Sequence, residues 1–165
     1  MPQTLIFSIE VDPNLIPDND LAPLLQALQD FEPVLEEWEE TLQSGEKENF
    51  ASQGGFFGDP WAALAPSTLR NKAQQGFPAT SLVRTGRLQD AIGQAITLTP
   101  DTVSVGVDSA EVPYAAYHQT GTSRMPARVL FAITDDMADA MMNTLRSYLA
   151  NATGGDMSGI NIVIN

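Results

Sequence analysis

His118 is the only histidine in this 165-residue chain. Any Ser-His-Asp arrangement must therefore use it, and any metal site must combine one imidazole with carboxylates. Ser67 and Ser81 are the serines a small hydrolase would use beside it, but neither Ser81 nor Ser109 sits in a nucleophile elbow, and no acid is spaced from His118 as a metal ligand would be. The Tyr-rich helix end around His118 points first to a hydrogen-bonded structural imidazole and next to an interface contact. Glu36, Glu37, Glu39 and Glu40 flank Trp38. Paired carboxylates need burial to split their pKa values, whereas these four lie off the apolar stripe on a face expected to be solvated. Gly54-Gly55-Phe56-Phe57-Gly58 lacks the lysine and hydroxyl of a phosphate-binding loop and follows no strand, so it reads as a flexible loop. The chain has no cysteine, which removes disulfides, thiolate metal sites and thiol nucleophiles. No catalytic, metal or cofactor set emerges, and the chain is not expected to be an enzyme.

The arginines are informative by placement. Arg84 and Arg87 bracket Thr85-Gly86, and Arg124 and Arg128 bracket Met125-Pro126-Ala127. At such turns a guanidinium fork can clamp backbone carbonyls or carboxylates, either from the acidic first helix or from a neighbouring subunit. The formal net charge is −13, and it is uneven: residues 1–69 hold thirteen acids against Lys47 alone, while residues 70–165 hold eight acids against seven basic residues. Affinity for nucleic acid comes mainly from Lys and Arg neutralising phosphates, so a chain this acidic is a poor candidate for gripping DNA or an anionic membrane. Acidic solubilisation is the simplest reading of the charge. No run reaches the roughly 20 apolar residues of a bilayer span, and the N-terminus lacks the basic flank and cleavage site of a signal peptide, so a cytosolic chain is expected at synthesis.

The elements that would position these residues can be read from periodicity. Composition, 43% hydrophobic with 18% charged residues, suits one globular domain over 1–153 followed by a linker and arm over 154–165. Thr4 to Val11 alternates as a half-buried strand. Asn19 or Asp20 can cap a helix in which Leu21, Leu24, Leu28, Phe31, Leu35, Trp38 and Leu42 form a stripe, and Pro33 should kink or split it. Residues 44–60 show no periodicity and read as a long mobile loop carrying Phe50, Phe56 and Phe57, which should dock on the home core or on a neighbouring subunit. Short helices are expected from Pro66 to Ala73 and after Thr85, and a β-hairpin over Ile96–Val107. A further short helix should run from Pro113 to near Gly121. Arg128–Ile133 reads as a strand leading to a last helix from Thr134 to about Ala150, with Met137, Met141, Leu145, Tyr148 and Leu149 on one side and the methionines as core filler. Beyond a glycine linker, Ile160, Ile162 and Ile164 alternate in a strand-prone tip, expected to be disordered in an isolated subunit and to pair with a sheet edge on a neighbour.

The order of several fragments is similar to that of a known family. Phe50 comes first, then Trp61 with Leu64, Ser67, Thr68, Arg70 and Lys72, then Leu82-Val83 with Thr85-Gly86-Arg87-Leu88 and Val103-Ser104-Val105-Gly106. Tyr114-Ala115, His118-Gln119-Thr120-Gly121 and Pro126-Ala127-Arg128 complete the set. Together these resemble the Mu-like phage virion morphogenesis family, also called tail completion proteins. The resemblance implies an α+β subunit, with a long N-terminal helix and a C-terminal helix packed on a curved antiparallel β-sheet. It implies a structural ring at the head–tail junction of the virion, assembled in the host cytoplasm, that joins the tail to the DNA-filled capsid and lets DNA pass unread. A tail terminator capping the tube is the alternative in the same class. The ring would be a hexamer, or a dodecamer set by the portal, meeting portal or adaptor proteins on one side and tail tube or terminator proteins on the other, with no membrane. The residues expected at subunit or partner contacts are Phe56, Phe57, Arg84, Arg87, Arg124, Arg128, Ile160, Ile162 and Ile164.

Overall fold

A proline midway along the apolar stripe decides how the N-terminal third folds. In a helix interior Pro33 would remove a hydrogen bond and clash with the preceding turn, but in the first turn of a helix it costs nothing. The computed structural model describes residues 7–12, 21–93, 96–99, 102–105, 107, 110–155, 157 and 160–164. In it the stripe divides into α1 (Leu21–Ala27) and α2 (Glu32–Ala51), with Pro33 in the first turn of α2 and the Asp30 side chain accepting from the Glu32 amide at 3.2 Å. The proposed caps Asn19 and Asp20 lie outside the described residues, as does the hairpin turn at Pro100-Asp101.

The other elements are β1 (Phe7–Val11), α3 (Pro66–Gln74), α4 (Arg87–Gly93), β2 (Ile96–Thr99), β3 (Thr102–Val105), α5 (Ala115–Thr120), α6 (Asp135–Ala152) and β4 (Ile160–Ile164). Helix α2 is the spine, packing against α6, α4 and both β2 and β3. Its N-terminal half buries Val34, Leu35 and Trp38 with Leu24 of α1 and Met141, Leu145 and Leu149 of α6. The Trp38 indole also donates to the Met141 carbonyl at 2.9 Å, tying α2 to α6 across 103 residues of sequence. A second cluster joins Phe50 at the end of α2 to Trp61, Leu88, Ile92, Val112 and Leu130. Helix α6 starts where Thr134 accepts from the Met137 amide at 3.2 Å, a side-chain cap for an otherwise unpaired donor. Its three methionines 137, 141 and 142 are buried.

Three expectations are corrected here. The α+β arrangement on a curved antiparallel sheet is not formed. Among the described residues the fold is predominantly helical, and the strands make two separate two-stranded ribbons, β1 with β4 and β2 with β3. Residues 44–51 are not loop but the last two turns of α2, because Gly45, Glu46, Asn49 and Phe50 continue the buried stripe after Leu42, two of the four being polar. The irregular segment begins only at Ser52. The isoleucine tip, expected to reach another subunit, pairs antiparallel with β1 of its own chain, with Phe7 opposite Ile164 and Val11 opposite Ile160. Ile160 and Ile162 pack on the α1–α2–α6 core.

Arg128–Ile133 also departs from expectation, since it is in neither helix nor sheet. Before it, the chain turns back at Gly121, whose φ of +72° and closeness to the next turn both require glycine. A Cβ there would lie 2.7 Å from the Ala127 nitrogen. The Thr122 amide then donates to the Met125 carbonyl at 2.8 Å, closing a tight turn with Arg124 at its tip. Gly121→Ala should lower stability by about 2 kcal/mol, roughly 4–8 °C in Tm, through backbone strain plus the clash. A thermal melt followed by circular dichroism checks it, and an unchanged Tm would mean the turn is not rigidly held.

Candidate interaction site

Three of the fragments that looked familiar in sequence, through Trp61, His118-Gln119 and Arg128, meet along residues 128–131. A segment outside helix and sheet must find other partners for its amides and carbonyls. Here side chains supply most of them. The Arg128 amide donates to the His118 carbonyl at 2.6 Å. Gln119 acts like a short strand edge: its Oε1 accepts from the Leu130 amide at 2.7 Å and its Nε2 donates to the Phe131 carbonyl at 2.9 Å. Asn49, fully buried on α2, donates to the Val129 and Leu130 carbonyls at 3.0 and 3.2 Å, while its Oδ1 accepts from the Phe57 amide at 3.3 Å. The Trp61 indole donates to the same Val129 carbonyl at 2.9 Å. Gly54 permits this indole position, since with φ +98° its absent Cβ would lie 2.3 Å from Trp61 Cδ1.

The sequence-predicted contact residues are dispersed around this centre. Arg128 is buried and donates through Nη2 to the Ala62 carbonyl at 3.0 Å, with Nε buried and unpaired. Arg87 is exposed and donates to the Glu111 carbonyl at 2.7 Å. Arg84 is exposed, stacks 4.6 Å above the Phe77 ring and donates to Gln75. These three arginines thus clamp carbonyl and amide oxygens of their own chain, and Arg124 projects from the exposed turn tip. Phe56 and Phe57 form an edge-to-face pair with centroids 5.2 Å apart, Phe56 the more exposed. They border an open groove of about 1160 Å³ between α2, residues 55–58 and the start of α6. Glu37, Glu40, Asp135 and Asp136 line its walls, and Phe56, Ile133 and Met137 are among its apolar surfaces. The isoleucines 160, 162 and 164 lie in β4, away from that groove.

Among the described residues no hydrolytic arrangement forms around His118. Its Nδ1 is buried without a hydrogen-bond partner, so nothing orients the imidazole as a triad base requires. Burial, and then the Arg128 charge, hold its pKa below the usual histidine range, and its ring meets Tyr114 edge-on at 5.9 Å. Ser67 is exposed on α3, and Ser81 is buried with its amide bonded to Gln53 Oε1 at 2.9 Å. Among the described residues no cluster of three His, Asp or Glu could hold a metal ion.

Sequence reasoning missed three polar residues that the core uses. Asn49 could have been found, because it stands seven residues after Leu42 on the stripe. Lys72 is buried, with Nζ donating to the Thr80 and Val83 carbonyls at 2.6 Å each, and burial followed by the Arg84 charge lowers its pKa. Glu46, also on the stripe, is 3% exposed, and neither carboxyl oxygen has a partner. Burial alone pushes its pKa up to about 8.

What meets along residues 128–131 is thus a set of positioning contacts, and they lie inside a stretch that matches a family. The model of the phage virion morphogenesis family matches residues 17–150. The chain belongs to that family. Its role is accordingly in building the phage virion, and it is a virion-associated protein by family membership. No curated protein and no solved structure matches it. Among the described residues, no helix of this family member is long and apolar enough to cross a membrane.

Proposed function

We propose that the chain is a structural ring subunit at the head–tail junction, joining the tail to the DNA-filled capsid and leaving a path for the genome. The family match over residues 17–150 carries the reading. The cross-tied segment 128–131 and the unoriented His118 agree with a scaffold rather than a catalyst. The ring has six subunits, or twelve if the portal sets the number, with portal or adaptor proteins above and tail tube or terminator proteins below.

Glu32, Glu36, Glu37, Glu40 and Glu48 are exposed along α2. A channel lined by this helix repels the phosphate backbone and lets DNA slide. In a gel shift at near-physiological salt the purified protein should show no sub-micromolar binding to duplex DNA, and such binding would contradict the passive-channel part of the reading. The function itself is tested by deleting the chain's coding sequence from the phage that carries it. Filled capsids and separate tails should accumulate and be joined again by complementation. Tails of irregular length would instead assign the chain to the tube end as a terminator.

A further inference from the structure

Residues 112–127 contain no Asp or Glu, but one arginine and the histidine. They fold as α5 and the Gly121-anchored turn, and their exposed side chains include Tyr117 at 59%, Tyr114 at 41% and Arg124 at the turn tip. The structure gives the Arg124 guanidinium no partner among the described residues. Aromatic and arginine side chains are the types that most often dominate binding energy at protein interfaces. The groove between α2 and α6 has the opposite character. Four carboxylates, Glu37, Glu40, Asp135 and Asp136, stand over the apolar surfaces of Phe56 and Met137, and none of the described groove residues is Lys or Arg.

The geometry points to a contact between copies of this chain in which the Tyr114–Tyr117–Arg124 knob of one copy enters the acidic groove of the next. Charge complementarity selects the occupant: the knob is a surface of this chain that offers arginine and aromatic rings without any carboxylate, and the groove offers carboxylates and apolar floor without any cation. Opposite potentials would orient the encounter, and the phenylalanine and tyrosine rings would supply the buried apolar area. Knob and groove share no residue, so the contact is heterologous, and its repetition closes a ring if the rotation per copy divides a full turn. The inference rests on the ring reading above and adds to it which two surfaces meet.

The cysteine-free sequence makes a direct test possible. Ser44 lines the groove and Ser123 lies in the turn beside Arg124, both exposed. Purified particles carrying Ser44→Cys and Ser123→Cys in one chain are treated with a short bismaleimide. The expected result is a ladder from dimer to complete ring, with each single variant giving monomer only. Adding Arg124→Glu should weaken the ladder at least tenfold, and further adding Glu40→Arg with Asp136→Arg should restore it. Dimers from a single-cysteine variant would show a two-fold contact and overturn the inference. A ring visible in the particles without a ladder would overturn the contact while leaving the ring reading intact. A single copy per particle would end both.

Discussion

Glu46→Gln is expected to stabilise the protein above pH 8 and to leave it nearly unchanged below pH 4.5. A carboxyl with an ordinary value of 4.5 that titrates at about 8 in the folded chain retains its proton on folding across that interval. The folded state then binds more protons than the unfolded state, so stability falls as pH rises from 4.5 to about 8 and is flat beyond. The full loss is about 4–5 kcal/mol if the unfolded chain titrates at 4.5. Helix α2 packs on α4 and α6, whose charged residues Arg87, Asp90, Asp135, Asp136, Asp139 and Arg146 are all exposed, so desolvation stands alone as the cause. Glutamine has nearly the same shape and no charge to desolvate. His118 bends the profile the other way, since its lowered pKa contributes stability that is lost as pH falls below the ordinary 6.5. The difference between variant and parent cancels that term. Urea unfolding of both proteins at pH 4, 6 and 9 reads the result, and parallel profiles would show that Glu46 finds water or a partner.

Asn49→Ala is expected to cost about 3–4 kcal/mol, which lowers Tm by roughly 6–16 °C in a chain of this size. The substitution leaves the Leu130 carbonyl and one acceptor site on the Val129 carbonyl unpaired and releases the Phe57 amide, all around a fully buried side chain. Asn49→Asp discriminates between lost volume and lost hydrogen bonds. It keeps the shape but aims a carboxylate at two carbonyls, so it should be at least as damaging as alanine above pH 6. A cost below 1 kcal/mol for either variant would mean that Trp61 and Gln119 hold the segment without Asn49.

Much of the fold was legible because local patterns agreed with tertiary demands. The period-three-and-four stripe named the α1–α2 side of the core, where Leu24, Leu35, Trp38 and Leu42 are buried, and proline at 33 and glycine at 121 marked the breaks they make. The Val103–Val105 alternation marked the β2–β3 ribbon. Two of the failures share one physical reason. Where the core is completed by polar side chains, apolar periodicity fades although burial continues, and so the last turns of α2 around Glu46 and Asn49 read as loop. The same substitution of side chain for strand hid the state of residues 128–133. Their β-prone sequence joins no sheet, because Asn49, Trp61 and Gln119 take the hydrogen bonds that neighbouring strands would. The contact residues were only partly legible, since periodicity cannot tell whether an arginine turns inward, as Arg128 does, or outward, as Arg124 does.

The central claim, a ring at the head–tail junction, is tested most directly by electron cryomicroscopy of finished particles in which this subunit carries a label. The account predicts label density arranged as a closed ring, sixfold or twelvefold, between capsid and tail. Label spread along the tail, confined to its far end, or absent from finished particles would contradict it.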